Sequence, residues 1–579
     1  MRRFACLWVM VLFAVQLFGQ RYALRIVENT PSPNGVIDAS SKSQQFKSVL
    51  ARSKFVNDLL IDLRKKGFAA ARVDSTVTDS LQQTVFISPG IAYQWAQIRR
   101  GNVDESILNE TGFRERNWNN KALRIEDVVR QQEKILVWCE NHGFPFATIQ
   151  LDSVEEVAPG NISAALVLHK NRSVHFDSIE IKGNAKISKN FIHNYIQLRP
   201  GDAYNESVVR QISKRLRELN FLKESKPFEI IFTEKYTKLT LYLDKKPAGQ
   251  FDGIVGMLPD AITGKILFTG DANLRLYNSI GKGEHFALNW RRLREQTQDL
   301  KVRVTYPYLL RTPLGIDYGI KVYRRDTTFI DVNQSFGLQY LFSGNNSIKA
   351  FVNRRSATLL SAASFANATT LPPFADIRTT SYGLGWNLMN FDYRFNPRSG
   401  GQLSVMADAG NRVIERNARL NPIVYDNVAL RSVQYSSELL MEYFIPLFKR
   451  SALRAGFQGA WLHNNTMLFR NELYRIGGLK SIRGFDEESI FASVYTIGTI
   501  EYRLLLEENS TLFLFSDVAW YENNMKDEYV TDTPYSFGAG INFQVKGGIF
   551  NLTYALGNQF NQGIQLRSGK IHVGFIGLF

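Results

Sequence analysis

Residues 314–323 read Leu-Gly-Ile-Asp-Tyr-Gly-Ile-Lys-Val-Tyr, with large apolar side chains at the even positions and small or polar ones between most of them. This period of two predicts a β-strand with one apolar face. In a soluble sandwich such a face points toward a core. In a transmembrane barrel it points to lipid, and the lumen is polar. The same alternation recurs through the second half of the chain, so this half is either a soluble sandwich or a transmembrane barrel.

Three features favour a membrane barrel: an export leader, a 12% aromatic content, and strands of about the length that a tilted strand needs to cross a bilayer. Hydrocarbon forbids open sheet edges, so the sheet must close. We therefore predict a transmembrane antiparallel β-barrel of about sixteen strands over residues 250–579, an even number as in bacterial barrels. The segments begin near residues 251, 265, 284, 300, 314, 332, 347, 380, 401, 431, 453, 493, 511, 535, 548 and 570.

The N-terminus has the form of a signal peptide over residues 1–19, because Arg2 and Arg3 precede an apolar stretch, Phe4–Phe18. Beyond it no apolar run reaches the ~18 residues of a spanning helix. A hydrophobic fraction of 44% argues against disorder. The net charge of +16 comes from scattered Lys and Arg, so we expect no nucleic-acid partner.

The first half contains a repeated α/β unit. Three amphipathic helices end at similar signals, centred on Gly67, Gly143 and Asn220, which are 76 and 77 positions apart. Gly or Asn at these positions predicts a left-handed residue after each helix. The third unit reads β-α-α-β-β. We place the units at 20–92, 93–173 and 174–249, and the fold as α+β repeats followed by the barrel.

No sequence pattern indicates catalysis. The chain lacks HExxH, GxSxG and P-loop motifs, and its seven His residues are dispersed. Cys139 lies on an apolar helix stripe and is expected to be a packed core thiol. We expect no enzymatic activity, no cofactor and no metal.

A family resemblance follows from the repeats. A β-α-α-β-β unit with a Gly-Asn turn after its first strand, as at Gly101-Asn102 and Gly183-Asn184, resembles the polypeptide-transport-associated (POTRA) domain. Such domains precede outer-membrane barrels in the periplasm.

The connection between the eleventh and twelfth segments carries the most specific motif, Gly477-Gly478-Leu479-Lys480-Ser481-Ile482-Arg483-Gly484-Phe485. It resembles the sixth loop of the assembly and translocation family that includes BamA, TamA and the two-partner secretion transporters. The loop residues that match are Gly477, Gly478, Ile482, Arg483, Gly484 and Phe485. The resemblance implies a loop folded back into the lumen, with Arg483 contacting Phe515 and Asp517. A guanidinium in a confined lumen needs such an acidic partner.

The last strand resembles the C-terminal signal of outer-membrane barrels, since Ile571, Val573, Phe575 and the terminal Phe579 share one face. It would close the barrel against the first segment. Glycines in the first strand (Gly253, Gly256) and the last (Gly574, Gly577) are expected to weaken that seam.

The resemblance implies a bacterial outer-membrane protein with periplasmic repeats, which assembles, inserts or translocates other polypeptides. Its implied partners are unfolded outer-membrane or secreted client polypeptides, outer-membrane lipid, and periplasmic or inner-membrane accessory proteins. Clients would bind the POTRA units and enter through the seam. Three alternatives stay open: a two-partner-secretion-type transporter, a passive outer-membrane channel, and a soluble adhesin. Three repeats favour the TamA-like branch.

Overall fold

The computed structural model describes residues 22–29, 36–37, 42–79, 81–259, 266–294, 297–343, 346–393, 396–525, 528–545, 548–560, 562–563 and 569–578. The predicted signal peptide and Phe579 lie outside these residues. The described chain forms two compact units. One comprises the residues up to 175 together with 203–207, and the other comprises 176–202 and the residues from 208 onward.

The first compact unit contains two α/β repeats. In the first repeat, the sheet order is β2-β1-β4-β3, and β1 runs parallel to β4. In the second, the order is β6-β5-β8-β7. The elements are β1 Tyr22–Glu28, β2 Ser43–Phe46, α1 Val49–Lys65, β3 Arg72–Thr78, β4 Gln82–Ser88, β5 Gln94–Arg99, α2 Glu105–Thr111, β6 Lys121–Ala122, α3 Ile125–Asn141, β7 Thr148–Ala158 and β8 Asn161–His169.

Most of the third α/β repeat belongs to the second compact unit. Its strand β9 (Ser178–Lys182) is followed by helices α4 (Lys189–Ile196) and α5 (Glu206–Glu218) and by strands β10 (Leu222–Phe232) and β11 (Thr237–Lys245). This is the β-α-α-β-β order read from the sequence. The sheet order is β10-β11-β9, so β10 lies at one edge. The exact residue bounds of the three repeats stay a prediction.

The helix-end signals behave in two ways. Gly67 and Gly143 have positive φ values of 102° and 90°, as predicted. Asn220 does not adopt positive φ, so that part of the prediction is wrong. The amide of Leu219 bonds the carbonyl of Leu216, which ends the helix with a tighter turn and without a left-handed residue. Cys139 is fully buried in the core of the second repeat, as expected from its helix stripe.

The second half of the chain is a closed antiparallel barrel of sixteen strands, with one strand interrupted near its end to give the segments β27 and β28. The strands begin within a few residues of the predicted positions. They are β12 Gln250–Pro259, β13 Ile266–Tyr277, β14 His285–Arg294, β15 Thr297–Tyr306, β16 Leu314–Arg325, β17 Phe329–Ser343, β18 Asn346–Leu359, β19 Ile377–Met389, β20 Gly400–Ile414, β21 Arg431–Phe448, β22 Ser451–Asn464, β25 Val494–Glu507, β26 Ser510–Met525, β27 Glu528–Asp532, β28 Tyr535–Val545, β29 Gly548–Asn558 and β30 Lys570–Leu578.

The apolar face of the strands points to the lipid side of the barrel, and the polar face points to the lumen. On β16, Tyr318 is exposed on the outside, whereas Asp317 is buried on the inside and paired with Arg303. The end of the barrel next to residue 250, here called the near end, has short turns. The opposite end, called the far end, has the long connections 360–376, 415–430 and 465–493. Within the described residues, the helices are too short or too polar to cross a membrane.

The first and last strands meet over a short stretch. Gln250 is in register with Leu578, and Phe251 with Gly577, and the described strands share no further register pair. By contrast, β12 and β13 share ten register pairs, and β29 and β30 share eight. The barrel is therefore closed at its near end by a seam much shorter than its other strand junctions.

Candidate functional site

The site is built by the far-end loop that enters the barrel. The loop joins β22 to β25, and it contains two short paired strands, β23 (Tyr474–Ile476) and β24 (Ile490–Ala492). Between them lies the predicted motif. Gly477 and Gly478 have φ values of 115° and 96°, and a Cβ on Gly477 would lie 2.4 Å from the carbonyl oxygen of Asp486. Glycine is required there because the chain turns sharply into the lumen.

Arg483 lies at the tip of the loop and binds Asp517 on β26. Its Nε is 2.8 Å from Asp517 Oδ2, and its Nη2 is 2.7 Å from Oδ1. Its backbone amide also donates to Oδ2, at 3.2 Å. The guanidinium carbon lies 3.4 Å from the ring centroid of Phe515. The structure thus brings together the three residues Arg483, Phe515 and Asp517, in the doubly hydrogen-bonded geometry that suits an arginine and a carboxylate.

A second carboxylate, which the sequence did not reveal, completes the site. Glu501 on β25 accepts from Arg483 Nη1 at 2.8 Å. It also binds Arg503 at 2.7 Å and Arg454 at 3.4 Å. Glu501 and Asp517 are both buried, and a buried charge is costly unless it is paired and hydrogen-bonded. Glu501 therefore links Arg483 of the loop to Arg503 and Arg454 of the barrel wall.

The tip also packs directly against the last strands. Gly484 has a φ of 87°, and a Cβ there would lie 2.8 Å from the backbone nitrogen of Gly557 on β29. Phe485 approaches the same strand, since a Cβ on Gly557 would lie 2.9 Å from its ring. Ile482 is fully buried in a cluster with Phe485 and Tyr521. The loop tip is therefore seated by shape as well as by charge.

Further inward-facing arginines hold the base of the loop. Arg412 on β20 binds Glu472 through two hydrogen bonds, and Arg291 on β14 binds Glu488. Arg355 on β18 donates to the carbonyl oxygen of Glu472 at 3.1 Å. Sequence reasoning missed these contacts. Their one available signal is that Arg291, Arg355 and Arg412 occupy lumen positions of their strands, where an unpaired charge is costly.

The predicted C-terminal residues lie on the outer face of β30. Ile571, Val573 and Phe575 are exposed there, whereas His572, between two of them, faces inward and is half-buried. An ion pair joins the loop to this strand, because Lys570 Nζ is 2.7 Å from Asp486 Oδ1. Gly577 takes part in the seam opposite Phe251. The inserted loop and the seam therefore use the same strand, at positions seven residues apart.

A sixteen-stranded barrel with preceding α/β repeats and an arginine-tipped loop in its lumen defines an outer-membrane barrel protein of the POTRA-bearing class. Residues 278–574 match the family model described as the Omp85 superfamily domain. Residues 174–245 match a POTRA family described as a surface antigen variable number repeat. The first match covers more than half of the chain, and the chain belongs to the Omp85 superfamily. Membership implies a bacterial outer-membrane barrel with periplasmic POTRA repeats.

Individual relatives are distant. The chain is 22% identical over 158 residues to the outer membrane protein assembly factor BamA of Nitratidesulfovibrio vulgaris (strain Hildenborough), a match over 27% of this chain and 20% of that protein. The chain therefore aligns with about a fifth of that relative's length. CdiB from Escherichia coli is 14% identical with a TM-score of 0.56, covering 92% of this chain and 98% of CdiB. CdiB from Acinetobacter baumannii is 14% identical with a TM-score of 0.53, covering 84% and 89%. These two likenesses concern the fold alone.

Proposed function

We propose that this protein inserts or translocates client polypeptides at the outer membrane, and that the seam between β12 and β30 is where clients enter the bilayer. The short seam is the observation that carries the proposal, together with membership of the Omp85 superfamily. Two register pairs hold a junction whose neighbours have ten and eight. Because strand pairing supplies the hydrogen bonds of a barrel wall, this junction is the one that costs least to open.

An opened seam offers a free strand edge to a client. The backbone groups of β12 beyond Phe251 pair with β13 on one side, and their other side faces no register partner among the described residues. A client's own strand would supply those hydrogen bonds and would avoid unpaired backbone in hydrocarbon. Gly253, Gly256, Gly574 and Gly577 favour opening, since glycine adds no cross-strand side-chain contact. Client folding provides the free energy, and the protein itself needs no enzymatic step and no cofactor.

The α/β repeats would bind clients earlier, in the periplasm. Two long strands lie at sheet edges, β7 in the second repeat and β10 in the third. An extended polypeptide can add to such an edge through main-chain hydrogen bonds, which demand little of its sequence. This mode suits clients that share no motif. Accessory periplasmic or inner-membrane proteins would bind the remaining surface of the repeats.

The experiment is a crosslink across the seam. F251C/G577C places two cysteines on directly opposed residues, where a disulfide is feasible. The matched control is G319C/S335C on β16 and β17, where a Cβ at Gly319 would lie 4.0 Å from that of Ser335. Client insertion into proteoliposomes should stop in the oxidised seam variant, return on reduction, and continue in the control. Unchanged insertion with the seam crosslinked would reject the seam as the entry site.

A two-partner-secretion-type transporter is the second candidate, because the two CdiB structures share this fold over most of their length. Such a protein would pass a secreted client through the lumen. Quantifying outer-membrane and secreted proteins in cells with and without this chain separates the two candidates. Loss of an insertion factor should lower the amounts of many barrel proteins, whereas loss of a transporter should lower the amount of one secreted protein. A passive channel would change neither and would instead show conductance with the loop in place.

A further inference from the structure

The outer wall of the barrel carries a set of arginines that neither the inserted loop nor the seam uses. They share two properties: each occupies an outward-facing position of its strand, and each lies beyond the apolar belt toward the far end. Among the outward-facing strand positions of β13 to β21 whose side chains the structure describes, these arginines are the charged residues, and no lysine or carboxylate occupies such a position. The five are Arg292, Arg324, Arg354, Arg378 and Arg431.

Strand alternation fixes their direction. Arg355 faces the lumen and pairs with Asp331, so its neighbour Arg354 faces outward. Arg412 is buried inside, so Val413 faces outward, and both Arg378 and Arg431 are in register with Val413. On β22 to β30 the described outward positions carry no arginine or lysine. The arginines are therefore confined to one part of the wall.

Three of the five lie close together. Arg378 and Arg431 sit on the same row two strands apart, about 10 Å between their backbones at the usual strand spacing. Arg354 is opposite Thr380, which is two residues from Arg378 on the same strand. Arg354 and Arg378 are therefore diagonal neighbours, about 7–8 Å apart. Counting from β12, these arginines are on the seventh, eighth and tenth of the sixteen strands. They thus lie across the barrel from the seam.

Their side chains are exposed and largely unpaired. Within the described part of the chain, Arg354 and Arg431 have no salt-bridge partner. Arg378 binds Glu415 at 2.9 Å, but both side chains are exposed, with 63% and 38% of their surface accessible. An exposed pair of this kind contributes little and is easily exchanged for another anion. The surface therefore presents three guanidinium groups and one adjacent carboxylate.

Their depth matches the membrane interface. Tyr382 and Tyr435, both exposed on the outer face, lie four residues closer to the bilayer centre than Arg378 and Arg431 on the same strands. Exposed aromatic rings of this kind form the girdle at the edge of the hydrocarbon. An outward arginine is costly at the midplane but tolerated near the interface. Just beyond the girdle lie lipid headgroups, and with them their phosphates.

We propose that Arg354, Arg378 and Arg431 form a binding site for the phosphate groups of outer-leaflet lipid headgroups. Arginine suits this ligand because its planar fork pairs with phosphate oxygens through two hydrogen bonds. Lipid binding here would fix the depth of the wall opposite the seam in the outer leaflet while the seam strands move. Lipid binding at these arginines depends on the orientation of the barrel and is independent of client insertion.

The test measures lipid retention. The full-length protein is reconstituted in phosphatidylcholine vesicles with phosphatidic acid as the minor component, extracted, and examined by native mass spectrometry. Wild type should retain phosphatidic acid in preference to phosphatidylcholine. R354Q/R378Q/R431Q should lose that preference, and the single variants R354Q and R431Q should each weaken it about fivefold. The control R114Q/R116Q/R124Q removes three exposed arginines from the second repeat and should behave as wild type.

Two further arms identify the ligand. Oleate, which is anionic without phosphate, should not be retained, and excess inorganic phosphate should not displace phosphatidic acid. The proposal is overturned if the triple variant keeps the wild-type preference, if the second-repeat control loses it equally, or if oleate binds as well as phosphatidic acid. Full displacement by inorganic phosphate would assign the site to a soluble anion and would also overturn it. Heat-modifiable gel mobility verifies that each variant is a folded barrel.

Discussion

Arg412 and Glu472 join the base of the inserted loop to the barrel wall through two hydrogen bonds, Nε to Oε1 and Nη2 to Oε2, both 2.7 Å long. Both side chains are almost completely buried, with 0% and 3% of their surface accessible. Arg483 and Asp517 form a similar pair at the tip. The loop is therefore held at two separate points by buried ion pairs. Removing Glu472 leaves Arg412 without its carboxylate, and removing the Arg483 side chain leaves Asp517 without its arginine, so the two points can be tested separately.

Glu472→Gln should destabilise the barrel. The substitution leaves the buried charge of Arg412 uncompensated, which costs about 3–5 kcal/mol in the free energy of unfolding. Urea unfolding in detergent measures the loss, and R412Q/E472Q should recover part of it because no lone charge remains. Glu415→Gln, which removes an exposed pair with Arg378, is the control and should cost at most about 1 kcal/mol. Equal stability of E472Q and wild type would contradict this account.

Arg483→Ala should reduce client insertion more than it reduces the amount of folded barrel. The alanine removes the ion pairs of the Arg483 side chain with Asp517 and Glu501, while the backbone amide of Arg483 and the packing of Ile482 still hold the tip to β25 and β26. Arg483→Lys should be intermediate, because an ammonium cannot make the paired hydrogen bonds. Insertion per folded barrel is the measured quantity.

Arg503→Gln is the matched control for that experiment. It removes another arginine from Glu501 but leaves the loop contacts intact. Insertion per folded barrel should then stay close to wild type. If R483A lowers barrel level and insertion in the same proportion, the arginine has a purely structural role and does not act in client insertion.

Gly484→Val should prevent the tip from seating. The residue has a φ of 87°, and a Cβ would lie 2.8 Å from the backbone nitrogen of Gly557. A valine is therefore disfavoured both by the left-handed backbone conformation and by a steric clash. Trypsin added outside intact cells should then cleave after Lys480 or Arg483, and wild type should resist. Gly498→Ala is the control, because a Cβ there meets nothing closer than 3.9 Å. A protease-resistant loop in G484V would show that the tip has another way to fit.

Cys139 should be unreactive in the folded protein. Burial raises the pKa of its thiol, so the thiol stays protonated at neutral pH and the nucleophilic thiolate is scarce. Maleimide labelling near pH 7.5 should be slow and should become fast on unfolding in urea. V137C/C139S moves the cysteine two positions along the same helix, to a site 52% exposed, and should label quickly. Rapid labelling of native Cys139 would mean that the second repeat opens easily.

The barrel was predictable because its signal is local and repeated. Alternation along residues 314–323 specifies a strand and its outer face without knowledge of any neighbour, and the same holds for the other segments. The motif Gly477–Phe485 was also readable, since two glycines and an Arg-Gly-Phe tip are confined to one short stretch. The error at Asn220 has a local cause as well. Asparagine tolerates the left-handed conformation but does not require it, and the backbone there ended the helix differently.

The partners of the loop were only partly predictable. Asp517 came from a family resemblance, whereas Glu501, Arg412 and Arg291 were missed. They are polar residues at lumen positions, and nothing in their own segments distinguishes them from residues that merely face water. Their pairing depends on where the loop runs, which the strand pattern does not specify.

The sequence by itself determined the repeated α/β units, the sixteen strands with their outer faces, and the loop that carries Arg483, and it predicts the export leader. Only the tertiary structure decided which lumen carboxylates that arginine meets, how few residues join β12 to β30, and which outward arginines become neighbours. The physical reason is that periodicity acts over a few residues of one strand. Register across strands and the path of an inserted loop are fixed by closing the whole barrel, which brings together residues as distant in the chain as Phe251 and Gly577.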